Sequence, residues 1–333
     1  MEKVILDEVD RGLIHALHLD GRVSFNRVAA MLEVSQQTVA RRYRKLREAG
    51  ILRVVGLPAP RRSGEIEWMV RLSVAPDAAK TVAEALARRS DTSWVQLISG
   101  GTEIMCTVRT VPGNAQGSLL LRELPRTPRV ISVSAHCLLH MYFGGPSGWR
   151  ALTTALTPAQ EEQIRPAHAE TGGDVELTDS DAPLLAELAR DGRMGYSELA
   201  AATGWSETTV KRRLQALRRH GVVFFDIEID EFAMGYSAET WLWLSVKPSH
   251  LVEVANTLAS HAEVAVVAAT TGPTNLVVHA LCRDLDALHE YLTERVCSLD
   301  AIHLMETAPV LQTLKSAGAA RDLGRTAKAS RHR

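Results

Sequence analysis

Apolar positions in the first fifty residues recur at helical spacing in three short runs. Val9, Leu13, Ile14 and Leu17 share one face of a first helix that Asp7 or Asp10 can cap. Val28, Ala29 and Leu32 mark a second helix opened by Ser24, and Val39, Tyr43 and Leu46 a third opened by Ser35. Asp20-Gly21 supplies turn chemistry after the first helix, Glu33-Val34 a short turn after the second, and Gly50 a left-handed close to the third. Three short helices with a tight turn between the last two predict a helix-turn-helix module.

Past residue 65 the pattern becomes strand-like at 66–74, 93–98, 103–109 and 130–140, with helical stretches at 76–89 and 114–124. The order β-α-β-β-α-β predicts the ferredoxin-like plan, an antiparallel sheet with two helices on one face. Its other face needs a cover, and a second copy within the chain is the economical one.

Such a copy exists. Sliding the chain by 171 positions lays residues 6–50 on 177–221 without a gap, and 17 of the 45 pairs are identical. The matches include Asp10 with Asp181, Asp20-Gly21-Arg22 with Asp191-Gly192-Arg193, Ser35 with Ser206, Arg41-Arg42 with Arg212-Arg213, and Gly50 with Gly221. At an offset of 172 the strands recur at 240–246, 264–270, 275–281 and 302–311, with helices at 248–260 and 285–295. The fold class is therefore α+β, with two winged-helix-like helix-turn-helix domains and two ferredoxin-like βαββαβ domains in tandem. The expected boundaries are 1–56 and 177–229 for the helix-turn-helix domains and 65–143 and 236–316 for the sheet domains. Residues 144–176 read as a linker that could hold one short helix, and 317–333 as a disordered basic tail.

The third helix of each module carries the chemistry. Arg41, Arg42, Arg44, Lys45 and Arg47 put five cations within seven residues, preceded by Ser35, Gln36, Gln37 and Thr38. Gln36, Gln37 and Arg41 suit base edges in a major groove, and Arg42, Arg44 and Lys45 suit phosphates. The second copy offers Ser206, Glu207, Thr208, Thr209, Lys211, Arg212 and Arg213, so it should read bases differently.

Composition changes this picture little. A net charge of −1 excludes only a uniformly basic protein, since a cationic footprint can be confined to a patch. No apolar run approaches a membrane span and the start lacks a signal-peptide layout, so the cytoplasm is the expected compartment. Cys106, Cys137, Cys282 and Cys297 stand singly and read as buried reduced thiols. No metal, cofactor or catalytic set is expected; His136 and His140, on one face of a strand, read as surface or interface histidines.

Both halves resemble the leucine-responsive/asparagine-regulator (Lrp/AsnC) family of bacterial regulators. The resemblance rests on Asp10, Asp20-Gly21-Arg22, Val28-Ala29, Ser35 to Arg42 and Gly50-Ile51, and again on Asp181, Asp191-Gly192-Arg193, Leu199-Ala200, Ser206 to Arg213 and Gly221-Val222. It implies a transcriptional regulator that binds double-stranded DNA, senses a small effector such as an amino acid, and assembles as a homo-oligomer, here a dimer or tetramer. It also implies an effector pocket lined by the hairpin after the second strand, which places Gly100, Gly101 and Glu103 in one copy and Thr271, Gly272 and Asn275 in the other. Neither hairpin has the family's aspartate.

Two other readings compete. Siroheme decarboxylases resemble this family in fold and occur as fused pairs, but their histidine-rich HxYxRxH stretch has no counterpart in SWVQLISG or EVAVVAATTG. A metabolite sensor that has lost DNA binding should show decayed cationic positions in one module, and neither module does.

Overall fold

The computed structural model describes residues 6–59, 64–111, 119, 123–144, 149, 154–165 and 175–318. The described residues divide into two units, each assembled from both halves of the repeat: residues 6–64 with 154–234, and residues 65–149 with 235–318.

The first of these units pairs the two helix-turn-helix modules. One module has α1 (Glu8–Leu19), α2 (Phe25–Met31) and α3 (Gln36–Glu48), followed by strand β1 (Leu52–Pro58). The other has α6 (Ala182–Arg190), α7 (Tyr196–Thr203) and α8 (Glu207–Arg219), followed by β6 (Val223–Ile229). Asp7 caps α1 in a reciprocal box with Asp10, Ser24 caps α2, and Leu13, Ile14, Leu17, Val28, Val39 and Leu46 form the core. Neither strand forms a hairpin within its own module. β1 pairs antiparallel with β6, from Leu52 opposite Ile229 to Pro58 opposite Val223, so each copy supplies the hydrogen-bonding partner the other lacks.

The stretch read as a linker contributes structure to this unit. Helix α5 (Pro158–Ile164), capped by Thr157, buries Ile164 fully, and Glu161 lies 3.5 Å from His15 of α1. The Leu156 amide donates to Nδ1 of the buried His15 at 3.0 Å, an anchor that no local pattern announces.

The second unit holds both ferredoxin-like copies: β2 (Ile66–Val74), α4 (Ala79–Ala87), β3 (Thr92–Ile98), β4 (Glu103–Thr110) and β5 (Val130–Phe143), then β7 (Ala238–Val246), α9 (Leu251–Ala259), β8 (Val264–Thr270), β9 (Leu276–Cys282), α10 (Leu285–Glu290) and β10 (Ile302–Lys315). The helix expected at 114–124 lies, apart from Leu119, Glu123 and Leu124, outside the described residues, as does the tail from 319 onward.

The two sheets do not merely face each other. β5 and β10 run past their own sheets, β5 onto β8 and β10 onto β3, and the eight strands close into a barrel in the order β10-β3-β4-β2-β5-β8-β9-β7. Closure leaves no open edge among these strands. Alternation along each strand then sorts side chains between two faces. Met69, Trp241 and Trp243 join Ile98, Met105, Val277 and Ala308 in an inner core shared by both copies, whereas Val70 and Leu72 pack with α4, and Leu242 and Leu244 with α9.

The thiols depart from expectation: all four cysteines are free, but only Cys106 and Cys282 are buried, Cys137 is half-buried and Cys297 exposed. Cys297 follows the α10 helical stretch on its solvent side, where a small thiol has no core to join.

Candidate nucleic-acid interface and effector loops

The DGR turn of each module builds the interface with the other. Arg22 donates to the carbonyls of Gly192 at 2.7 Å and Met194 at 3.0 Å, and Arg193 donates to those of Gly21 at 2.7 Å and Val23 at 3.0 Å. The Arg22 guanidinium lies 5.2 Å from the Tyr196 ring centre, and that of Arg193 lies 4.4 Å from Phe25. Burial, first among the causes, holds both arginines below their ordinary pKa, yet a guanidinium stays charged.

The turn aspartates serve the same purpose. Asp20 accepts from its own turn amide at Arg22 and pairs with Arg218 at 2.7 Å; Asp191 accepts from Arg193 and pairs with Arg47 at 2.8 Å. The glycines are required by close approach: a Cβ on Gly21 would lie 2.8 Å from Val54 Cγ1 and Phe225 Cβ, and one on Gly192 would lie 2.8 Å from the Val55 backbone. All three residues of each turn thus hold the two modules in a two-fold arrangement.

Within this frame α3 and α8 present their polar faces outward. Ser35 Oγ accepts from the Thr38 amide at 3.0 Å, and Ser206 Oγ from that of Thr209 at 3.1 Å, which satisfies a free amide at each helix start. Gln36, Gln37, Arg41, Arg44 and Lys45 are exposed on α3, and Glu207, Thr208, Lys211 and Arg212 on α8. Thr38 and Thr209 are half-buried, each hydroxyl 2.9 Å from its capping serine.

Arg42 and Arg213, expected on phosphates, are turned inward instead. Arg42 pairs with Asp7 at 2.7 Å and Asp10 at 3.3 Å, and Arg213 with Asp181 at 2.6 Å. Asp10 and Asp181 are buried, so each arginine neutralises a carboxylate that burial would otherwise leave unpaired. The two copies differ in consequence. Burial raises Asp10, with the neighbouring Asp7 charge adding and Arg42 opposing. Asp181 meets the same burial, but bonds from Arg213 and from the Thr178 amide outweigh it and lower its pKa.

The two hairpins expected to line an effector pocket are more internally engaged than their sequence suggests. Glu103 is chelated by Arg71, which also pairs with Glu306, and accepts from Ser99 Oγ at 2.7 Å. Asn275 closes both backbone groups of Val246, accepting from its amide and donating to its carbonyl at 2.8 Å each. Gly100 and Gly101 adopt φ of +70° and +85°. Gly272, at φ +112°, lies against His136; a Cβ there would meet Nδ1 at 2.3 Å. The Thr271 carbonyl accepts from His136 Nδ1 at 2.8 Å, and its hydroxyl accepts from the Cys137 amide. His136 in turn packs 5.4 Å from the Trp243 ring, which the Arg71 guanidinium also approaches, at 5.7 Å. The buried Nε1 of Trp243 has no hydrogen-bond partner among the described residues. His140 packs edge-on to Tyr142, and no group of three metal-ligating side chains occurs among the described residues.

Sequence reasoning missed Arg22, Arg193, Arg47 and Arg218 as interface residues and Trp243 as an inward donor. Identity of the DGR triplets and of Arg47 with Arg218 across the repeat was the available signal for the first four.

This architecture defines a class, a paired helix-turn-helix unit joined to a paired βαββαβ unit. The AsnC-type helix-turn-helix domain matches residues 6–47 and 177–218, and the Lrp/AsnC ligand binding domain matches 241–320. The chain belongs to the Lrp/AsnC family of HTH-type regulators. It is 33% identical over 159 residues to an HTH-type transcriptional regulator of Pyrococcus abyssi, covering 47% of this chain and 98% of the relative. The regulator FL11 of Pyrococcus horikoshii is 32% identical, over 42% of this chain and 93% of its own length. Among solved structures, the siroheme decarboxylase NirDL shares the fold over 97% of both chains, with a TM-score of 0.63 at 14% identity.

Proposed function

We propose that this chain is a sequence-specific DNA-binding transcriptional regulator that engages two half-sites with one polypeptide. The observation that carries the reading is the reciprocal clasp of Arg22 and Arg193, which holds two outward-facing cationic third helices in one unit. Each helix alone makes few contacts; held together, they act at high effective concentration on half-sites about ten base pairs or a multiple apart. Ser35, Gln36, Gln37, Thr38, Arg41, Arg44 and Lys45, with Ser206, Glu207, Thr208, Thr209, Lys211 and Arg212, form the DNA-facing set.

The test is fluorescence anisotropy against DNA upstream of the protein's own and neighbouring genes, at two salt concentrations with nonspecific competitor. Competitor-resistant binding with a steep salt dependence supports the reading, and affinity equal to that for random DNA removes it.

A small effector, an amino acid or related metabolite, is proposed to bind in the sheet unit and bias DNA binding. The unpartnered Nε1 of Trp243, whose ring packs on His136 next to the Thr271–Gly272 turn, supports this, because a buried donor without an acceptor costs free energy that a ligand carboxylate would recover. Amino acids screened for an effect on DNA affinity, with Trp243→Phe as control, test it. The protein is further proposed to be cytoplasmic, non-enzymatic and a homo-oligomer, with Leu139 and Leu311 exposed at equivalent positions of β5 and β10. Among the described residues no helix is long and apolar enough to cross a membrane.

The likeness to NirDL favours one alternative, tetrapyrrole decarboxylation on the same fold. Neither β3 nor β8 carries a histidine or tyrosine, which weighs against it. Absorbance titration with a tetrapyrrole, followed by product analysis, decides between them.

A further inference from the structure

We propose that the operator is asymmetric, because two scaffolds of matching geometry present two different reading faces, with Gln36 and Glu207 as the specificity pair. The inference rests on the DNA-binding reading above and goes on to name the base chemistry of each half-site.

The two third helices are held by matching anchors at both ends. Both are 13 residues long and begin with a serine cap; both are tied to the first helix by an arginine–aspartate pair, Arg42 to Asp10 and Arg213 to Asp181. Both are also tied to the opposite module by an arginine near the C-terminal end, Arg47 to Asp191 and Arg218 to Asp20. Equivalent positions on α3 and α8 therefore address equivalent positions in their half-sites.

The exposed residues at those positions are unlike. Gln36 and Gln37 on α3 stand where Glu207 and Thr208 stand on α8, while Arg41 and Arg212 are the same. A glutamine side chain can donate and accept together, which matches N6 and N7 of adenine. A carboxylate only accepts, so Glu207 matches the N4 amino group of cytosine and is repelled by the acceptors of guanine. Arginine matches N7 and O6 of guanine in either half. The expected operator has a guanine in each half-site, with adenine beside it in the half read by α3 and cytosine beside it in the half read by α8. A symmetric dimer of identical chains could not encode this difference; the tandem chain can.

The experiment is selection of bound duplexes from a randomised library by the full-length protein, repeated with Glu207→Gln and Gln36→Glu. The wild-type protein should enrich two unlike half-sites. Glu207→Gln should shift the second half-site from cytosine to adenine and raise relative affinity for the symmetrised adenine operator about tenfold. Gln36→Glu should do the converse. A palindromic wild-type motif, or a lopsided motif that neither substitution alters, overturns the proposal while leaving DNA binding intact; Glu207 would then serve only the start of its helix. Enrichment of no sequence by any of the three proteins overturns the DNA-binding reading itself, and this proposal with it.

Discussion

Arg22 and Arg193 exchange carbonyls across the helix-turn-helix unit: each guanidinium reaches into the turn that the other one leaves. A duplicated chain can satisfy this interface without a second molecule, since the arginines and turn carbonyls that one copy offers meet their counterparts in the other. Arg22→Ala should destabilise this unit by about 2 kcal/mol, the worth of charge-assisted bonds to carbonyls that would otherwise lack a partner. Arg22→Lys should rescue it only in part, because a compact ammonium lacks the planar fork whose two terminal nitrogens reach the two carbonyls separately while the guanidinium lies over the Tyr196 ring. Urea denaturation followed by circular dichroism measures both, and an unchanged midpoint for Arg22→Ala would mean that the β1–β6 ladder alone holds the modules together.

Neighbouring arginines on α3 should fail in opposite ways. Arg41 is exposed, and replacing Arg41 and Arg212 with alanine should leave the unfolding midpoint unchanged while abolishing specific DNA binding and lowering the salt slope. Arg42→Ala leaves the buried Asp10 without its cation and should lower stability first, with DNA affinity falling only as the module loosens. Thermal melts beside anisotropy titrations separate the two, and a stable Arg42→Ala protein with lost DNA binding would return Arg42 to the phosphate contacts.

The equivalent carboxylates Asp10 and Asp181 should respond to pH with opposite sign. The lowered Asp181 carboxyl contributes stability above the unfolded value of 3.8, and this is lost as pH falls through its folded pKa. The raised Asp10 carboxyl holds its proton above 3.8, so its contribution shrinks as pH rises from there through the folded value. Asp181→Asn should therefore cost stability at pH 7 and flatten the acid limb, whereas Asp10→Asn should cost less, since Asp7 remains to pair with Arg42. Equal losses at pH 7 would show that the Asp7 carboxylate does not distinguish the modules.

Much of the third-helix face was legible because exposed cations, a serine cap and a buried Val-Tyr-Leu stripe are local features. The clasp was not. Gly21 has the look of a turn glycine, yet what forbids a side chain there is Val54 on the following strand together with Phe225, more than two hundred residues away. Arg42 differs from Arg41 only in lying beside the buried stripe, and its partner Asp10 lies two helices earlier. Strands β5 and β10 extend past the ends their alternation suggested, because their last residues find ladder partners in the other copy. For the clasp and the extended strands the deciding contact joins the two repeats, and for Arg42 it joins two helices of one module; a periodicity confined to one segment carries no record of either.

Asn275 occupies the place where the family pattern has an aspartate, and the structure gives a reason why restoring that residue should fail. Its amide oxygen accepts from the Val246 amide and its nitrogen donates to the Val246 carbonyl, each at 2.8 Å, so the side chain closes the end of β7 as a peptide group would. Asn275→Asp keeps the acceptor and replaces the donor with a second carboxylate oxygen facing a carbonyl. The expected cost is about 1–3 kcal/mol, the penalty of an acceptor left facing another acceptor at a partly buried site. Glu103, the equivalent residue of the first copy, is held by Arg71, so Glu103→Gln should loosen that pair without touching Val246. If an effector binds through Trp243 and His136, its affinity should survive Asn275→Asp to the extent that β7 stays in place, and should fall with Gly272→Ala, whose methyl group would displace the His136 ring. Calorimetric titration of each variant with the effector found in the amino-acid screen checks this. A gain in affinity from Asn275→Asp at unchanged stability would show that the side chain faces the ligand and not the strand.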